Sequence, residues 1–268
     1  MYGKQRKLSL VGGVAAVFLA AVATAQDAAT QAPGAAAVGL RRPTVITRPG
    51  SYVVEKDIVA GSAAAIEIHA NDVTLDLAGH RLVGPGRRQG SGIAVLGASN
   101  VRIFNGHVKR FGIGVRAEEA TSLVVEGLQI DGLDSGGAPP DVEVGILLVD
   151  TRGARIERNV ITDVFLGIFV RGAGSGGNFI RENLVTGADH GELGVCYNPA
   201  PGQSSGGPHG DLVYLNVVSR FRRGVAMSAD STGNVVRENT VAYFDLAIEE
   251  TTPGSNVISD NDEVQIPK

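Results

Sequence analysis

The sequence predicts an all-β solenoid of about eight turns, and three observations predict it. The 268 residues include 37 Gly and no Trp, with Val and Ile spread throughout in place of the Leu/Lys/Glu/Ala blocks that build helices. A glycine followed by an apolar residue recurs at Gly92-Ile93, Gly112-Ile113, Gly145-Ile146, Gly167-Ile168, Gly194-Val195, Gly224-Val225 and, with alanine, at Ala247-Ile248. Upstream stands a second recurring position, held by Gly79, Gly106, Gly127, Asn159, Asn183, Asn216, Asn239 and Asn261. The spacing is unequal, so a constant cross-section is interrupted by loops of variable length.

The repetition has a physical reading. If each unit is one turn of a single-chain solenoid, equivalent residues stack on the next turn about 4.8 Å away. Apolar residues in register then fill one continuous interior. An Asn at an inward bend can bond the turns above and below, as stacked amides do. Gly at the other bend admits a backbone that a Cβ would obstruct. A leucine-rich repeat would need a Leu frame, a hexapeptide helix a strict six-residue count, and a calcium-binding nonapeptide Gly-Gly-x-Gly-x-Asp; the chain has none of these.

Taken in order, the chain opens with a basic start at Lys4, Arg6 and Lys7, an apolar run from Leu8 to Ala23, and small residues to Ala25. That is the pattern of a secretory leader over residues 1–25 with cleavage after Ala25, the alternative being an uncleaved membrane anchor. The full chain has formal charge −4 and the leader is basic, so the remainder is acidic. This argues against a nucleic-acid partner or an anionic membrane surface. Beyond the leader no apolar run is long enough for a membrane-spanning helix. Cys196 is the one cysteine, which excludes an internal disulfide, and with two Met it makes a poor set for handling soft metals. Residues 26–43 are small and of low complexity and read as a flexible tether. From 44 to 268 the strand pattern is continuous. Pro49-Gly50 marks a turn, and "AIEIHA" and "VTLDLAGHRLVG" alternate as half-buried strands. The charged end, "NDEVQIPK", discourages edge pairing and suggests a monomer.

"VTLDLAGHRLVG", "GHVKRFGIGV" and the later Asn-x-Val and Gly-Ile lines resemble the right-handed parallel β-helix proteins of the pectin-lyase-like superfamily, including their carbohydrate-binding and sugar-hydrolase repeat branch. The resemblance covers Thr44 to Lys268. It implies a right-handed parallel β-helix, which the leader places in a secreted or periplasmic setting. It also implies a polysaccharide partner, bound or processed by lyase or C5-epimerase chemistry. The alternative is a non-catalytic solenoid that binds or scaffolds in the cell envelope. The chain lacks the "DPHD" of alginate epimerases and the "GHG" of polygalacturonases, so no catalytic residue is transferred from the resemblance.

The residues themselves single out Gly187 to Asp211, where Asp189, His190, Glu192, Tyr197, Asn198, His209 and Asp211 crowd into one turn and its loop. Asp189 and His190 form a candidate orienter and base, with Tyr197 as a further catalytic candidate. Asp189, Glu192 and Asp211 are candidate ligands for Ca²⁺. Arg116 and Arg171 are expected to share one outward column with Asn198 and Ser228. Arg171, Asn198, His209, Arg220, Arg222 and Arg223 are then candidates for holding an acidic sugar, since guanidinium forks match carboxylates. Neutralising such a carboxylate eases removal of the adjacent ring proton. His80 and His107 each follow a ladder glycine and are expected to stack as structural residues. "GAGSGG" (172–177) and "GQSSG" (202–206) match dinucleotide and nucleophile-elbow patterns without the helix either needs.

Overall fold

The structure is a computed structural model that describes residues 36–61, 63–86, 89–132, 144–188, 191–198 and 206–267. The expected leader and most of the expected tether lie outside the described residues. Among the described residues there are 24 strands and no helix, and all strand pairings are parallel. The strands stack in three sheets. The first runs from Thr44–Ile46 to the end of Thr240–Glu250, the second from Val38–Leu40 to Val257–Ser259, and the third from Ile58–Val59 to Asp262–Gln265. The path crosses the three sheets in rotation and closes nine turns among the described residues, one more than the eight recurring positions imply. Strand Val38–Leu40 pairs with Gly50–Val54, so the solenoid begins ahead of Thr44, inside the stretch expected as tether.

Alternation along each strand decides what is inside. In the first sheet Ile66, Ile93, Val115, Ile146, Ile168, Val195 and Val225 stand in register and are fully buried. Each such side chain contributes roughly 1.5–3 kcal/mol of burial. Their β-branched stems suit a surface where every neighbour repeats.

The recurring glycine has a different cause from the expected one. Gly145, Gly167 and Gly194 do not have positive φ. A Cβ on Gly167 would stand 2.2 Å from the Gly194 carbonyl oxygen, and one on Gly145 would stand 2.7 Å from that of Gly167. Space between turns, and not backbone freedom, therefore demands glycine. The register also shows that Gly114-Val115, not Gly112-Ile113, occupies this column, because Val115 pairs with Ile93 and Ile146.

The predicted asparagine file forms. Asn159, Asn183, Asn216 and Asn239 are buried at the bend between the second and third sheets. Each donates its main-chain N–H and its Nδ2–H to the Oδ1 of the next rung, all at 3.0 Å, and the series ends on Asn261. Nδ2 also donates to a main-chain carbonyl of the preceding turn, as Asn183 does to Ile156 at 2.8 Å. The residue before each of these Asn is left-handed, for example Arg158 at φ 56° and Glu182 at φ 56°. Towards the N-terminus the file continues through Leu128 and Gly106; Gly127 sits one position off it. His107 is in register with Arg81, so His80 and His107 do not stack.

A second file was not anticipated. Asn178, Asp211, Asn234 and Asn256 occupy the bend between the first and second sheets, linked by main-chain donors to side-chain oxygens at 2.7–3.0 Å. Ala154 heads the series by donating to Asn178 Oδ1 at 2.8 Å. Its members lie five residues before those of the first file, as in "NFIREN" and "NVVREN".

Outside the second sheet, Glu157 is fully buried beneath Arg155 at 2.7 Å and Arg181, and Arg158 links the neighbouring Glu126 at 2.6 Å. Burial alone would raise the Glu157 carboxyl, but the Arg155 and Arg181 guanidiniums outweigh it and hold it below the usual carboxylate value.

Two outcomes are expected. Asn183→Ala strands the donors of Asn159 and should cost ~3 kcal/mol in denaturant unfolding. A depressed carboxylate contributes stability above its unfolded pKa and loses it as pH falls through the folded value. Wild type should therefore lose stability as pH drops below about 4, and Glu157→Gln should flatten that limb. Its cost at neutral pH should fall between the ~1 kcal/mol of an exposed pair and the ~3–5 kcal/mol of a buried one.

Candidate functional site

The outward face of the first sheet differs from the rest of the surface. On a solenoid of this kind, outward residues at one strand position form a column across turns. The middle column carries Ala94, Arg116, Leu147, Phe169, Cys196 and Ala226 in register. Leu147, Leu166, Cys196 and Ala226 are buried there, with Phe165, Phe169 and Val149 packed against them. This is an apolar strip on the outside of the barrel, separate from the core.

Its two edges are charged in different ways. At one edge Arg171 follows Val149 and precedes Asn198 in register. Its guanidinium lies 5.7 Å from the Phe169 ring centroid, and its buried Nε has no hydrogen-bond partner. No carboxylate among the described residues pairs with it. At the other edge Arg222 holds Glu192 at 2.9 Å and Asp245 at 2.8 Å, and Arg223 holds Glu249 at 2.7 Å. Leu193 is in register with Arg223 and Asn198 with Arg171. Five residues of strand thus separate the edges, roughly 17 Å at 3.3 Å per residue.

Several expected site residues move accordingly. Arg116 pairs with Leu147, one column inward of Arg171, a consequence of the two-residue shift at Gly114. Ser228 keeps its expected place beside Asn198: it follows Met227, the partner of Tyr197, and its N–H donates to the Tyr197 carbonyl at 3.1 Å. Arg222 and Arg223 are neutralised by carboxylates of this chain and belong to a different edge from Arg171. Arg220 is exposed at a left-handed bend, φ 62°. His209 is exposed in the bend beyond Arg171's strand, in register with Gly176 and Thr232. Asp189 and His190 lie outside the described residues, as does most of "GQSSG". "GAGSGG" leads into strand Phe179–Arg181 and not into a helix, which removes the dinucleotide reading.

Two expectations are overturned. Tyr197 points inward between Val170 and Met227, so it cannot reach a polymer on the surface, and burial drives its hydroxyl well above the ordinary phenol value. Asp211 is a buried rung of the second file whose oxygens accept from the Asn178 N–H at 2.7 Å and Nδ2 at 3.2 Å. It is no metal ligand. With Asp211 inside and Glu192 held by Arg222, the two described members of the expected Ca²⁺ set do not come together at one site; Asp189 lies outside the described residues. Burial also raises the Cys196 thiol far above its ordinary value, which makes it unreactive. Sequence reasoning missed Phe165 and Phe169. The signal was present in "VFLGIFVRG", where strict alternation from the inward Ile168 puts Phe169 outside and Arg171 beside it.

The family model described as right handed beta helix region matches residues 50–200. No curated protein matches the sequence. Among solved structures the chain is similar to the Dettilon tailspike protein, with a TM-score of 0.52 and 13% identity over 85% of this chain and 54% of that one. It is similar to a periplasmic alginate epimerase, with a TM-score of 0.50 and 14% identity over 75% of this chain and 57% of that one. It is also similar to an alginate lyase from Paenibacillus, with a TM-score of 0.51 and 12% identity over 81% of this chain and 95% of that one. The chain thus spans little more than half the length of the tailspike and the epimerase. At these identities the likeness is one of fold.

Proposed function

This chain belongs to the right-handed β-helix family, and from that premise we propose that it binds an acidic polysaccharide along the outward face of its first sheet. The observation that carries this reading is Arg171, a guanidinium with no carboxylate partner among the described residues, beside an aromatic ring on an apolar strip. Sugar rings present apolar faces that suit such a strip, and a uronate adds the carboxylate that an unpaired guanidinium takes up in a fork. Asn198, exposed on the next turn, is in register to accept or donate to hydroxyls of the same chain of sugars. The alginate named for two of the similar structures is an acidic polysaccharide, which supports the same class of partner.

Binding is favoured over catalysis by the described geometry. Tyr197 is inside, and Glu192 is held by Arg222 at the opposite edge. Neither stands ready to move a ring proton beside Arg171. Lyase or C5-epimerase chemistry would rest on His190 oriented by Asp189. The leader at 1–25 supports export, so the proposed setting is periplasmic or secreted.

The test is binding of oligouronates followed by calorimetry, with absorbance of unsaturated ends as the readout of turnover. Arg171→Ala should weaken binding ~10–100-fold, the worth of a charge-assisted contact, with an unchanged melting temperature. Equal affinity of Arg171→Ala and wild type for every acidic glycan would overturn the reading.

A further inference from the structure

The second amide file contains one rung that breaks its own chemistry. In Asn178, Asn234 and Asn256 the Nδ2 group donates to a main-chain carbonyl of the preceding turn, to Thr151 at 3.1 Å, Pro208 at 3.3 Å and Ser231 at 3.0 Å. Asn234 Nδ2 donates as well to the next rung's Oδ1 at 2.9 Å. Asp211 stands in the same place, and an ionised carboxylate has nothing to donate. Its main-chain N–H reaches Asn234 Oδ1 at 2.9 Å, but no side-chain donor does. A proton on the Asp211 carboxyl supplies one of the missing donors and makes the rung an imitation of Asn.

The surroundings fit a neutral group better than a charged one. Asp211 is 1% exposed. Facing it are the Asn178 amide, the Tyr197 hydroxyl from strand Leu193–Asn198, and His209 on its own turn. The Tyr197 hydroxyl is buried and close enough to Asp211 to interact with its carboxyl, but outside the geometry of an ordinary hydrogen bond. No Lys or Arg pairs with Asp211 among the described residues.

We infer that Asp211 is a proton-gated rung of the solenoid: protonated, it completes the second file; ionised, it puts an acceptor-only charge inside the turn that carries Asn198 and His209, and weakens that turn. This stands independently of any glycan. Burial pushes the carboxyl from 3.8 up to about 6, and the Asn178 donors, His209 and Tyr197 offset only part of that. The folded chain then holds this proton more tightly than the unfolded one. The stabilisation is complete below pH 4 or so, and it is lost as pH rises through about 6. A difference of about two pH units corresponds to a ~100-fold change in the unfolding constant.

The experiment compares denaturant unfolding of the wild-type chain and Asp211→Asn from pH 4 to pH 8. Groups common to both, Glu157 included, cancel in the ratio of unfolding constants. The ratio should shift ~100-fold in favour of Asp211→Asn as pH rises, with its midpoint near pH 6. A ratio that stays constant across the range overturns the inference. Carboxyl ¹³C titration of the wild-type chain needs no variant: a midpoint near 6 for Asp211 supports the inference, and one below 4.5 overturns it.

Discussion

The buried amides at the bends of this solenoid find their partners chiefly on the turns above and below, because a buried polar group left unpaired is costly. That constraint organises the rest. It selects Asn at two bends, since a primary amide is both donor and acceptor and can repeat indefinitely along an axis. It sets the phase of each turn, and with it which residues of a strand face inward. Once the phase is set, apolar columns fill the barrel and glycine is forced wherever one turn's backbone meets the next, as at Gly167. A slip of one residue would put Val170 outside and Arg171 within.

The same constraint explains what the sequence revealed. Asn159, Asn183, Asn216 and Asn239 were legible because four identical residues recur between apolar strands. The second file was obscured by Asp211, which reads as a catalytic or metal-binding residue when taken with its polar neighbours. Its five-residue offset from Asn216 was the better signal. "FGIGV" offers two glycines of the same parity, and local pattern cannot choose between Gly112 and Gly114. The pairing of Val115 with both Ile93 and Ile146 resolves it, and the outward column expected for Arg116 moves with that choice. Tyr197 was legible by parity, two residues after the inward Val195, but was drawn towards the site by the company it keeps in sequence.

The candidate site follows from columns as well. A solenoid turns one sequence position into a line on the surface, so a few substitutions at equivalent positions make an extended strip. Phe169 and Leu147 occupy one such line, Arg171 and Asn198 the next. The crowd of charges in Gly187 to Asp211 is divided by the same geometry. Glu192 goes to one edge with Arg222, and Asp211 goes inside. Proximity along the chain was a weaker guide to the candidate strip than equivalence between turns.

The account rests on side-chain amides that are sealed within the stack, and their hydrogen exchange reports on it directly. The Nδ2 protons of Asn183, Asn216 and Asn239, followed by ¹⁵N-resolved exchange, should be as slow as the main-chain amides of the central strands. Exchange at the rate of an exposed amide side chain would contradict the account, because the files would then be open to water and could not set the phase of the turns.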